Sequence, residues 1–146
     1  MGLPCYTAWR NRGTRVTFPA RHISVSISRP PAEVYAFTSE PANLPRWASG
    51  LSSGIEEVDG EWVTESPMGR VKVALAARND LGVLDHDVTL PSGETVHNPM
   101  RVLANGDGSE VVFTLYRRPG VSGGEYEADA ATVVADLRRL KELLES

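Results

Sequence analysis

The chain has 146 residues, 41% hydrophobic and 23% charged, with a formal net charge of −4. That is enough sequence and apolar content for one well-packed domain, and the acidic balance gives no reason to expect a nucleic-acid partner. No apolar run approaches the ~20 residues of a membrane span, and a single cysteine, Cys5, excludes an internal disulfide or a cysteine metal cluster.

Residues 1–32 contain no acidic side chain, whereas Arg10, Arg12, Arg15, Arg21 and Arg29 are all basic. Gly2, Pro4, Gly13 and Pro19 interrupt the first part of this stretch, and no helical or strand period survives there. Residues 1–20 are therefore expected to be a disordered basic leader, followed by one domain over 21–146. A basic arm for a phosphate surface and a targeting peptide are the functional alternatives. A secretion signal would need a continuous apolar core, which is missing, so the expected location is cytoplasmic.

Ile23, Val25 and Ile27 alternate with Ser24, Ser26 and Ser28, which predicts a strand with one buried face. Arg29-Pro30-Pro31 ends it, and Pro31 suits the first turn of a short helix over 32–39. Pro41 opens a second helical piece over 42–48, broken by Pro45, with Trp47 near the mouth of any cavity. Hairpins follow. Residues 55–58, 61–66, 70–78, 82–90, 96–103 and 110–118 read as strands, separated by turn signals such as Asp59-Gly60 and Asn105-Gly106-Asp107-Gly108.

The closing segment, 124–146, is a helix. Tyr126, Ala130, Val133, Leu137, Leu140 and Leu144 recur at spacings of four and three, an apolar stripe opposite Glu127, Arg138, Arg139, Lys141, Glu142 and Glu145. The expected fold is α+β: a seven-stranded antiparallel sheet, two short helices after its first strand, and a long C-terminal helix across its concave face. Such an arrangement leaves a space between helix and sheet.

The stretch Ser26-Ile27-Ser28-Arg29-Pro30-Pro31-Ala32-Glu33-Val34-Tyr35-Ala36-Phe37, with Pro41-Ala42-Asn43-Leu44-Pro45-Arg46-Trp47 after it, carries a resemblance. It resembles the opening of the bacterial polyketide cyclase/dehydrase-like group of the START/Bet v 1-like (SRPBCC) superfamily. Residues 129–144 resemble that group's closing helix, so the likeness covers about 21–146. It implies the helix-grip fold. Members of the superfamily include cyclases, lipid carriers, hormone receptors and chaperone activators, so the fold alone does not select a function.

The polar residues best placed for chemistry are Asp85-His86-Asp87 and His97-Asn98. A three-residue loop, Ser92-Gly93-Glu94, with Gly93 left-handed, predicts Leu90 opposite Val96, Val88 opposite Asn98, His86 opposite Met100 and Leu84 opposite Val102. In that register His86 and Asn98 point inward among apolar side chains. Asp85, Asp87 and His97 point outward, and Asp85 pairs with Arg101. An inward His and Asn can polarise a ligand carbonyl or shuttle a proton, or they can satisfy each other inside a closed core. Neighbouring strand residues face opposite ways, so Asp85, His86, Asp87 and His97 do not assemble a metal site, and no metal is expected. No serine lies in a Gly-x-Ser-x-Gly elbow.

Val111, Phe113 and Leu115 are the more apolar set of their strand, which turns Phe113 inward. With Trp62 it forms an aromatic wall suited to a flat apolar ligand. The expected ligand contacts are His86, Asn98, Met100, Trp62, Phe113, Val133 and Leu137. Their occupant would be a small, mostly apolar molecule of lipid, polyketide or aromatic type. The resemblance leaves two alternatives open: a polyketide cyclase/aromatase-like enzyme using His86 as acid/base, and an interaction module with a collapsed cavity, akin to chaperone activators. None of the three implies a cofactor, and nothing in the sequence sets the oligomeric state.

Overall fold

Alternating Ile23, Val25 and Ile27 form the inner face of β1 (Ala20–Ile27) in the computed structural model, which describes residues 16–51 and 54–146. Pairing starts slightly earlier than expected, because the Pro19 carbonyl already accepts the Arg117 N–H at 2.9 Å. Cys5 and residues 1–15 of the expected leader lie outside the described residues.

Pro31 opens α1 (Pro31–Thr38), where its missing N–H costs nothing. The second helical piece is a 3-10 turn, Pro41–Asn43, followed by α2 (Leu44–Trp47). Pro45 does not break that piece: it lies in the first turn of α2, before any backbone donor is required.

The strands are β2 (Glu56–Val58), β3 (Glu61–Ser66), β4 (Gly69–Leu75), β5 (His86–Thr89), β6 (Thr95–Asn98), β7 (Met100–Asn105) and β8 (Gly108–Tyr116). They pair antiparallel in the orders β2-β3-β4-β5-β6 and β1-β8-β7. The two runs meet at Pro99. That residue has no N–H to offer a ladder, so it divides one long strand into β6 and β7. Its carbonyl still accepts from Thr114 N–H at 2.9 Å, which stitches the halves together.

The β5–β6 register differs from the sequence expectation by two residues. His86 faces Asn98, Asp87 faces His97 and Val88 faces Val96. Gly93 is left-handed, at φ 92°, but it is the last residue of the loop rather than the middle one. The loop is Pro91-Ser92-Gly93, closed by Leu90 N–H to the Glu94 carbonyl at 2.8 Å. In this hairpin type the left-handed residue follows a type I turn, and Pro91 supplies that turn's fixed φ.

The last helix, α3 (Gly123–Glu145), begins at a capping box. Ser122 Oγ accepts Glu125 N–H at 3.1 Å and Glu125 Oε1 accepts Ser122 N–H at 2.8 Å. Tyr126, Ala130, Leu137 and Leu140 of its stripe are buried, with Val133 and Leu144 half-buried. The helix lies along β1, β8 and α2 rather than evenly across the sheet. It runs in the same direction as β1 and is tied to it at both ends: Arg21 pairs with Glu127, while Ser28 N–H donates to Glu145 at 2.7 Å. Lys141 Nζ also donates to the Ser26 carbonyl at 2.7 Å. The β3–β6 half of the concave face is thus left less covered than the β1–β8 half.

Candidate functional site

Side chains two apart on a strand share a face, so register alone assembles the concave surface. Across β3 to β6 one row reads Trp62, Val73, Val88 and Val96, and the next reads Leu75, His86 and Asn98. Beyond Pro99 the row Met100, Phe113 and Ile23 continues to β1. Trp62, Leu75, Val88 and Val96 are half-buried, whereas Met100 and Phe113 are buried under the helix half.

The expected site residues divide accordingly. His86 and Asn98 stand directly across from each other on the inner face, and the His86 ring meets Phe113 edge-on at 5.8 Å. Trp62 shares this face at the far side, and Val133 of α3 is half-buried. Met100 and Leu137 are each 1% exposed, sealed within the core, so they back the site rather than face open space. Trp47, expected at the mouth, is instead part of the core, and its Nε1 is buried without a partner. It anchors α2 against α3, which is why it cannot line an opening.

The bond pattern beneath His86 is irregular. Leu84 N–H donates to the Met100 carbonyl at 2.8 Å, as a ladder pair should. The return bond is missing. Met100 N–H donates at 2.9 Å to the carboxylate of Asp85, and the Leu84 carbonyl takes His86 Nδ1 at 3.0 Å. On the outer face Arg101 holds both Asp85 oxygens at 2.9 Å. That bond from Arg101 is the main reason the Asp85 carboxyl lies below its ordinary pKa, against the opposing effect of burial. Asp87 and His97 form a separate outward pair at 2.6 Å.

His86 keeps some access to open space, yet the atoms packed around it desolvate the ring and hold its pKa below the ordinary value. That favours the neutral ring. Its Nε2 and the Asn98 amide have no hydrogen-bond partner among the described residues, and neither is sealed from solvent. Both are thus polar groups without a protein partner on an otherwise apolar face. Sequence reasoning placed this pair inward but missed Leu84 and Asp85 as its supports. Pro99, a residue unable to complete a ladder, was the available signal.

The hollows of the surface lie away from this face. One of about 320 Å³ adjoins Glu56, Glu65 and Arg70, and one of about 420 Å³ lies between Tyr35 of α1 and the segment from Arg78 to Gly82. Among the described residues no group of three His, Cys, Asp or Glu could hold a metal ion, and no helix is long and apolar enough to cross a membrane.

Comparison with known proteins agrees with this architecture. XoxI from Bacillus cereus superposes with a TM-score of 0.68 at 14% identity, over 86% of this chain and 94% of that one. Ara h 8.0201 gives 0.68 at 14% identity, over 88% and 98%. DynU16, from the dynemicin biosynthetic locus, gives 0.67 at 16% identity, over 87% of this chain but 47% of its own. At such identities the likeness concerns the fold alone. No curated protein matches the chain in sequence. The sequence profile described as polyketide cyclase/dehydrase and lipid transport does match, over residues 21–145. A match across nearly the whole domain, on a sheet gripping one long helix, places the chain in the polyketide cyclase/dehydrase and lipid transport family of the START/Bet v 1-like superfamily.

Proposed function

We propose that this protein binds a small, mostly apolar molecule against the concave face of β3–β6, beside α3, with His86 and Asn98 as its polar anchors. The observation that carries this reading is the pair of polar groups without a partner among the described residues, His86 Nε2 and the Asn98 amide, on one face with Trp62, Leu75, Val88 and Val96. A core closed for stability alone would pair such groups or replace them with apolar ones. The Trp62 ring offers a flat apolar wall, and Val133 fits the helix side.

A charge on this face should abolish the binding of an apolar fluorescent probe. Val88→Glu places one there, whereas Thr89→Glu places it on the opposite face of the same strand. The expected result is loss of probe binding in the first variant alone, with both retaining their circular dichroism. Equal binding by both variants would send the function elsewhere and favour an interaction module.

Cyclase-like catalysis is the second reading, and the free Nε2 favours it. A neutral imidazole with an unshared lone pair is a base poised to take a proton from an activated C–H or O–H. Turnover of a polyketone that disappears in His86→Phe would support it.

A further inference from the structure

We infer that the concave site selects ligands bearing a hydroxyl group, a phenol or an alcohol, over the corresponding ethers and ketones, with His86 Nε2 as the acceptor. This inference rests on the reading above that the concave face is a binding surface, and it names the chemistry of the occupant.

A carbonyl can only accept, so the 3.0 Å contact between His86 Nδ1 and the Leu84 carbonyl requires the proton to be on Nδ1. The carbonyl is free to take it because Asp85 has captured Met100 N–H, its usual ladder partner. In the neutral ring the lone pair is then on Nε2, the atom with no partner among the described residues and not sealed from solvent.

A desolvated acceptor is satisfied by a donor. A ketone or ether oxygen has only lone pairs to offer and would leave Nε2 unpaired against a like partner. A hydroxyl can donate to Nε2 and, in the same pose, accept from the amide of Asn98 directly across the ladder. The surrounding Trp62, Leu75, Val88 and Phe113 supply an apolar and partly aromatic wall, so the group that fits is a hydroxyl on an apolar, preferably aryl, body.

The test uses the full chain and three probes of similar size: 2-naphthol, 2-methoxynaphthalene and 2-acetylnaphthalene. At neutral pH the naphthol should bind roughly tenfold tighter than either of the others, the value of one unmade hydrogen bond in a desolvated site. His86→Phe should bind all three about equally. Equal affinities in the wild type, or a preference that survives in His86→Phe, would overturn the inference while leaving the apolar-site reading intact. Failure of every probe to bind would overturn both. A ligand-free measurement guards against a variant that does not fold: the ¹⁵N shifts of the wild-type His86 ring should show a protonated Nδ1 and an unprotonated Nε2. The opposite tautomer would sink the inference by itself.

Discussion

Asp85, on the outer face of the sheet, takes the backbone N–H of Met100 at 2.9 Å while Arg101 grips both of its carboxylate oxygens. One outward side chain thereby sets an inward one. By occupying Met100 N–H it leaves the Leu84 carbonyl to orient His86.

Two effects compete when Asp85 is removed. The ion pair to Arg101, whose side chain is 49% exposed, is worth little in water. The stranded Met100 N–H, in a residue 1% exposed, is the larger loss. Asp85→Ala should therefore cost about 1–3 kcal/mol in urea denaturation, and Arg101→Ala about 1 kcal/mol or less. Similar costs for the two would show that the ion pair, not the backbone bond, is what matters.

The stability of the fold should respond to pH through His86. Its folded pKa lies below the ordinary 6.5, mainly because burial disfavours the charged ring. The unfolded chain thus takes up this proton first. The contribution of His86 is complete above about pH 6.5 and is lost as pH falls from there through the lower folded value. His86→Phe binds no proton, so its melting temperature should decline less than that of the wild type between pH 7 and 5. Parallel curves would show that the ring titrates normally.

Leu137 lies mid-stripe on α3 and is 1% exposed. Leu137→Ala should cost about 2–4 kcal/mol, the lost transfer energy plus that of a cavity between helix and sheet. Chemical denaturation checks this. A cost below ~0.5 kcal/mol would imply that the helix does not bury this face.

Gly82 has φ +73°, and a Cβ there would lie 2.3 Å from the Val102 carbonyl oxygen. The left-handed conformation alone costs a side chain roughly 1–3 kcal/mol, and the contact is with backbone, which cannot swing aside. Gly82→Ala should therefore destabilise by at least about 2 kcal/mol. Gly93→Ala, left-handed but with nothing within 4 Å, should cost less. An inverted order in thermal melts would refute the clash.

Much of this molecule was written in local pattern. The alternation of Ile23, Val25 and Ile27, the stripe from Tyr126 to Leu144 and the turn glycines each report a period or a φ requirement that a few neighbouring residues settle among themselves. The inward direction of His86 and Asn98 was legible even though their register was misjudged by two, because strand faces repeat every two residues and such a slip leaves each side chain on its own face. The capping box was equally local, since Ser122 and Glu125 stand three residues apart, yet it went unread. Only the tertiary structure decided which atoms meet across the chain. The exchange among Leu84, Asp85, His86 and Met100 depends on two segments about 15 residues apart meeting where Pro99 interrupts the ladder. No periodicity encodes which N–H a carboxylate will capture. The position of α3 along β1 was likewise decided at a distance, by contacts such as Arg21 with Glu127 and Lys141 with Ser26. That position buries Met100 and Leu137 and leaves the β3–β6 half of the concave face less covered, because the helix packs along β1 and β8 at the other side of the strand order.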